Sequence, residues 1–205
     1  MKRTTKSLIF ILLFASCNEF SQDYIELSGL YFFRNKGAHK RSINSQNGLS
    51  KNVIYADVID YKSNDSFIVA QQIPNLINYK YELGSSLYLR YIAYADYLRN
   101  PKIINSNLGR FYKGTIENDS INYKIFLNKG ASEKNSIQDI NLEEEIADSL
   151  LKNDPKYKKI VYSKENYWII RISKDTLLGP LSKSEYLSER ELLHIPKEVK
   201  LKFEQ

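Results

Sequence analysis

The chain has 205 residues, with 30 Lys and Arg against 24 Asp and Glu, a formal charge of +6, two His, one Trp and a single Cys. That length fits one domain or two small ones, and one is expected. A lone cysteine excludes a disulfide framework, and so mild a charge excess gives no argument for a nucleic-acid partner, so the fold must rest on its core.

Lys2, Arg3 and Lys6 make a positive start, followed by the apolar run from Leu8 to Ala15 and then Ser16 and Cys17. A transmembrane helix needs about 20 apolar residues, so this short run reads as a cleavable signal with its basic end on the cytoplasmic side. Small residues at Ala15 and Ser16 suit a peptidase groove, and the first residue after the cut is Cys17, whose thiol can carry lipid. The stretch Leu13-Phe14-Ala15-Ser16-Cys17 resembles the lipobox of bacterial lipoproteins. It departs from the usual pattern: Leu13 stands one place early, Phe14 takes the leucine position, and Ser16 replaces the commoner Gly or Ala. The resemblance implies diacylglycerol in thioether linkage to Cys17, cleavage before it and acylation of the new N-terminus. Two or more chains anchor stably, since each buried CH₂ contributes about 0.8 kcal/mol.

On that reading residues 1–16 are a signal peptide, 17–23 a lipidated tether and 24–205 a globular domain. Removing 1–16 takes away three basic residues, leaving 189 residues with 27 basic side chains against 24 acidic ones. Asn18 is not the aspartate that often signals retention at the inner membrane, so the expected location is the cell envelope, at the outer membrane of a diderm bacterium.

Tyr24 to Phe33 is rich in aromatic and branched residues and is interrupted by Gly29, which predicts short strands joined by a turn or bulge. Arg34 to Lys51, with Gly37, Gly48 and several Asn and Ser, reads as a loop. Asn52 to Tyr61 alternates and Ser66 to Ile73 is a second strand stopped by Pro74; with the turn Lys62-Ser63-Asn64-Asp65 they form a β-hairpin. Between Asn75 and Arg99 both periods occur. Leu87, Tyr91, Tyr94, Ala95 and Leu98 follow helical spacing, while Tyr79, Tyr81 and Leu83 alternate; a helix over 85–98 is expected, stopped by Asn100-Pro101.

Residues 100–120 read as loop and turn, and Ile121 to Leu127 as a strand ended by Asn128-Lys129-Gly130. Ser136 to Lys152 predicts a helix with Ile137, Ile140, Ala147 and Leu151 on one face, Ile146 and Leu150 beside them, and a stop at Asn153-Asp154-Pro155. Lys158–Ser163 and Tyr167–Ser173 are expected to pair as a hairpin, and Gly179-Pro180 to make a turn. Ser182-Lys183-Ser184-Glu185 is a capping box that should start a short helix through Leu193, followed by an edge strand from Val199 to Phe203.

The stretches SFIVAQQIP and YWIIRISKDTLLGPLSKSEY resemble a family of small, uncharacterised bacterial envelope lipoproteins. The resemblance implies an envelope-attached α+β domain and transfers no catalytic residue. Residues 75–113 lack a counterpart and are a candidate insertion. The expected fold is α+β: an antiparallel sheet built from hairpins with two or three helices packed on it, in one domain.

Chemistry-bearing patterns are sparse. His39 and His194 lie far apart, with no carboxylate or cysteine cluster at ligand spacing, so no metal and no cofactor is expected. Glu143, Glu144 and Glu145 are consecutive and point about 100° apart on a helix, so they cannot converge on one ion, and with Asp139 and Asp148 they read as a solvated face. No nucleophile elbow, P-loop or dinucleotide fingerprint occurs, and no catalytic residue is assigned. Tyr88, Tyr91, Tyr94 and Tyr97 recur every third residue and spiral around half a helix; they lie either across the core or outward, as a surface for a sugar or a protein.

The expected function is therefore a membrane-anchored, non-enzymatic binding or interaction module, with an immunity or inhibitor protein as a narrower version and a protein or glycan as candidate partner. The alternative is a membrane-tethered hydrolase of envelope glycans or peptides. A hydrolase predicts ionisable side chains converging in a deep pocket, and a binding module predicts an exposed aromatic patch.

Overall fold

The computed structural model describes residues 24–37, 39–45, 53–101, 119–132 and 137–205. Cys17, the signal, the tether and most of 100–118 lie outside the described residues. The fold is α+β, built on two antiparallel sheets rather than one. The first has the order β1 (Tyr24–Ser28), β2 (Tyr31–Asn35), β3 (Arg41–Ser45); the second has β4 (Val58–Ser63), β5 (Phe67–Gln72), β6 (Asn166–Arg171), β7 (Thr176–Leu181). A bridge between Ile43 and Ile54 stitches β3 to the segment that enters β4. The described helices are α1 (Leu76–Arg99), α2 (Ser120–Asn128), α3 (Ile137–Asn153), α4 (Pro155–Val161) and α5 (Lys183–Leu192).

The second sheet is covered on both faces. Ile68 and Ala70 of β5, with Trp168 and Ile170 of β6, face a core shared with Tyr31, Phe33 and Ile43 of the first sheet and with α1, α2 and α3. Val69, Tyr167 and Ile169 face the other way, against Tyr186 of α5 and Ile195, Val199 and Leu201. Burial on both faces explains why Tyr167 to Ile170 is an unbroken apolar run instead of an alternating one.

Several elements differ from the sequence expectation. Residues 41–45 form β3, although Arg-Ser-Ile-Asn-Ser looks like loop; only Ile43 supplies apolar burial there, and the buried Ser42 and Ser45 are polar. Residues 121–127 belong to α2, because Asn122 and Phe126, four apart, are the buried pair. Residues 158–163 are not the partner of β6: Asp154 caps, and Pro155 opens, helix α4, while β6 pairs with β5 and β7. Gly179-Pro180 lies inside β7, and Val199–Phe203 forms no strand, ending in a 3₁₀ turn at Lys202–Glu204.

In α3 the buried face is rotated from the expected one. Ile137 is 78% exposed and Ile140 is exposed too, whereas Asp139, Ile146, Ala147 and Leu151 are buried. Asp139 is tolerated inside because its carboxylate accepts from the Ser132 N–H (2.7 Å) and hydroxyl (3.0 Å).

Helix α1 starts nine residues before the expected position, at the Asn75 cap, whose Oδ1 accepts from the Asn78 N–H. It crosses α3 at Gly84, where an added Cβ would stand 2.9 Å from the Glu143 carbonyl oxygen. Alanine normally favours a helix by about 1 kcal/mol over glycine. Here the obstacle is backbone, so Gly84→Ala should destabilise the protein by about 1–3 kcal/mol, read as a lower denaturant midpoint. An unchanged or raised midpoint would mean the two helices do not approach this closely.

Candidate functional site

Tyr88 and Tyr91 are spent inside the fold. Tyr91 is fully buried and stacks on Phe126 at 4.6 Å between centroids; Tyr88 lies 6.2 Å from the same ring. Tyr94 and Tyr97 are half-buried, and Tyr94 packs at 5.0 Å from Tyr123. The four do not gather on one outward face.

The exposed apolar stripe of α1 is another set, at steps of four and eight: Ile77 (81% exposed), Tyr81 (61%) and Leu89 (52%). Beside it runs a cleft. Its first wall comes from Arg34 at the end of β2, Lys36 and Lys40 in the following turn, and Asn44 on β3. Its second is the α1 face made by Asn78, Tyr81, Glu82, Ser85, Ser86 and Leu89, with Val53 and Tyr55 between the walls. Steps of three and four on α1 bring those side chains to one side. The cavity measures about 380 Å³, within the range of small-molecule sites, about 300–1,000 Å³.

Polar contacts tie the first wall to the entry of β4 and to α1. Arg41 donates from Nε and Nη2 to the two oxygens of Asp57, at 2.8 and 2.7 Å, and His39 Nδ1 stands 3.4 Å from the same carboxylate. Asn78 Nδ2 donates to the His39 carbonyl at 2.6 Å, tying the β2–β3 turn to α1. Burial alone would raise the Asp57 carboxyl, but the Arg41 guanidinium and His39 hold it below the ordinary aspartate value.

Glu82 is the carboxylate inside the cleft. Its Oε2 accepts from the Ala56 N–H at 3.0 Å. Burial raises its carboxyl above the ordinary glutamate value, against the pull of that hydrogen bond and of Lys36 and Arg34. Burial likewise pushes the Tyr55 phenol up to about 12, although a hydrogen bond with Ser86 and the charge of Arg90 oppose it. Tyr55 is therefore a neutral hydroxyl at physiological pH.

Val53, Tyr55 and Ser86 also line a second cavity, of about 280 Å³, which runs on between α1 and α4 to Arg90, Tyr157, Trp168 and Leu177. The two hollows adjoin at Val53, Tyr55 and Ser86. Arg90, which lines the second, is held by the buried carboxylate of Asp119.

Elsewhere the expected chemistry takes structural roles. His39 and His194 sit in turns with positive φ, at 60° and 51°. Glu144 and Asp148 face Lys80 at 3.6 and 3.9 Å. Among the described residues no group of three or more His, Cys, Asp or Glu side chains is placed to hold a metal, and no helix is long and apolar enough to cross a membrane.

The site missed by sequence reasoning is the cationic wall. Three basic residues within seven positions, Arg34 to Lys40, were a signal, but a stretch read as loop gave no reason to set them opposite α1.

These features define an α+β domain with a basic cleft between a small sheet and a long helix. Residues 134–204 match the model of a family described as protein of unknown function DUF3997. The match covers less than half of the chain. It takes in the Tyr167–Tyr186 stretch but neither the β4–β5 hairpin nor the cleft walls. No curated protein and no solved structure matches the chain.

Proposed function

We propose that this chain is a lipid-anchored protein of the cell envelope that acts as a binding or interaction module, held at the membrane by Cys17. Its working surface is the cleft between β2–β3 and α1. One observation carries this reading: Arg34, Lys36 and Lys40 line one mouth, and none pairs with a carboxylate among the described residues. Cations with no described carboxylate within salt-bridge distance, beside an exposed apolar stripe, are what an acidic partner needs for steering and register. An immunity or inhibitor protein facing an incoming toxin at the membrane is the narrower version.

The alternative, a membrane-tethered hydrolase, is favoured by Glu82, a cleft carboxyl held above its ordinary range as a general acid is. Such chemistry usually asks for a second free carboxylate. Asp57, whose charge reaches Glu82, is already clamped by Arg41. Release of reducing ends from envelope glycans, lost in Glu82→Gln, would decide for the hydrolase.

Anchoring is tested by feeding cells an alkyne fatty acid: the wild type should carry the label and Cys17→Ala should not. An unlabelled wild type contradicts the anchor. Binding is tested by acetylation footprinting of isolated envelopes against the purified full chain. Lys36 and Lys40 should be protected in envelopes, while the exposed Lys124 and Lys197 react equally in both. Equal reaction at all four would overturn the cleft as a working surface.

A further inference from the structure

We propose that the ligand of this cleft is an acidic sugar, a uronic-acid unit within an oligosaccharide. The inference rests on the cleft being a binding surface and names the chemistry that fits it.

The decision comes from which polar groups the groove leaves unspent. Arg34, Lys36 and Lys40 call for an anion at one end. Glu82 lines the opposite wall with Oε2 accepting from the Ala56 N–H, which leaves its other oxygen as a further acceptor on that wall. A bare phosphate would satisfy the cations and bring Glu82 no row of hydroxyl donors; a neutral sugar would suit Glu82 and bring the cations no anion. A uronic acid carries a carboxylate and several hydroxyl donors on one ring, and so answers both.

The uncharged lining agrees. Asn44 and Asn78 each give one Nδ2 hydrogen, to Ser42 and to the His39 carbonyl, which fixes two cleft-lining amides that can still pair with ligand hydroxyls. The hydroxyls of Ser85 and Tyr81 lie along the same wall, and the Tyr81 ring, exposed above the cleft, offers a face for a sugar ring. An acidic peptide would bring carboxylates but few hydroxyls to pair with this row, and unpaired polar groups weaken binding. The adjoining hollow beyond Tyr55 and Ser86, lined by Arg90 and Tyr157, is where a neighbouring sugar would lie.

The test is calorimetry on the full chain in detergent, with tetragalacturonate as probe. Comparison ligands are a neutral tetrasaccharide of galactose and tetraglutamate. Tetragalacturonate should bind at least roughly tenfold more tightly than either. The triple variant Arg34→Gln/Lys36→Gln/Lys40→Gln should lose at least roughly tenfold, whereas Lys124→Gln/Lys158→Gln/Lys197→Gln, which removes the same charge elsewhere, should stay within about twofold. Glu82→Gln should weaken binding severalfold.

Absent binding, equal loss in both triple variants, or equal affinity for tetraglutamate or the neutral sugar would overturn the proposal. Should the cleft variant fail to fold, acetylation of Lys36 and Lys40 in the wild type with and without tetragalacturonate gives the same answer, and no protection refutes it. Protection in envelopes with no response to tetragalacturonate would sink the sugar and leave the binding surface standing.

Discussion

Replacing Arg41 with methionine should lower stability by about 3 kcal/mol at neutral pH, because it strands a buried carboxylate. Asp57 is 3% exposed, and Arg41 supplies both charge-assisted hydrogen bonds that make its ionised form tolerable there. The value sits at the low end for a buried pair since Arg41 itself is about one-third exposed. For a protein of this size that is a fall in Tm of roughly 6–12 °C.

The pH dependence gives a second readout. In the wild type the Asp57 carboxyl lies below its ordinary value, so its contribution is present above the unfolded aspartate value and is lost as pH falls through the folded one. In Arg41→Met burial dominates and the carboxyl rises. The mutant then gains relative to the wild type as acid protonates Asp57. The Tm gap should therefore begin to narrow above about pH 4, as the raised mutant carboxyl protonates, and go on narrowing below it until the wild-type carboxyl protonates too. A gap that stays constant down to pH 3 would show that the loss comes from packing and not from the stranded charge. The same pair holds the β2–β3 turn against the entry to β4, so the cationic wall should loosen with it.

Trp168→Ala should be the most damaging single change, by about 3–5 kcal/mol, a fall in Tm of roughly 6–20 °C. Trp168 is 3% exposed on β6, one of the two inner strands of the four-stranded sheet. Its Nε1–H donates to Gln72 Oε1 at 3.0 Å, and that oxygen also accepts from Asn166 Nδ2. Gln72 in turn donates to the Tyr55 carbonyl at 2.7 Å, so the network reaches the floor of the cleft. The indole also fills the space over Gly179, where a Cβ would stand only 2.5 Å from its ring. Removing it opens a cavity on the second hollow, which Trp168 lines. Phenylalanine at the same position keeps most of the volume and loses the hydrogen bond, and should cost less than half as much. If alanine and phenylalanine were equally harmful, the hydrogen-bond network and not the packed volume would be what Trp168 supplies. As the sole tryptophan, it is also the chain's own fluorescent reporter of that network.

Local chemistry made part of the fold legible before any coordinates. Gly29, at φ +62°, turns β1 into β2; the β4–β5 hairpin closes around Asn64, whose Oδ1 accepts from the Ser66 and Phe67 N–H groups; and Ser182 and Glu185 form the reciprocal cap of α5. Each is decided by residues within a few positions of one another. What escaped was decided at a distance. β3 is a strand because β2 offers it a ladder, not because Arg-Ser-Ile-Asn-Ser favours one. Ile121 to Leu127 reads as a strand, but burial in α2 follows Asn122 and Phe126, one helical turn apart.

The tyrosine spiral on α1 left core and surface both open in the sequence, and α2 and the first core absorb Tyr88 and Tyr91. The cleft was the least legible feature. It joins Arg34 to Glu82 and Ser86 across about half a hundred positions, and only the packing of α1 beside β2 and β3 makes them neighbours.

The most direct test of the cleft as the working surface of a membrane-tethered module is photocrosslinking in living cells. A photoreactive phenylalanine analogue replaces Tyr81 at the cleft or Leu192, which is 71% exposed on α5, beyond the other face of the second sheet. The account predicts a discrete adduct from position 81 that recovers with the membrane fraction. That adduct should disappear in the Arg34→Gln/Lys36→Gln/Lys40→Gln background, with nothing comparable from position 192. An adduct pattern that is the same at both positions, or one indifferent to the three basic residues, would contradict it.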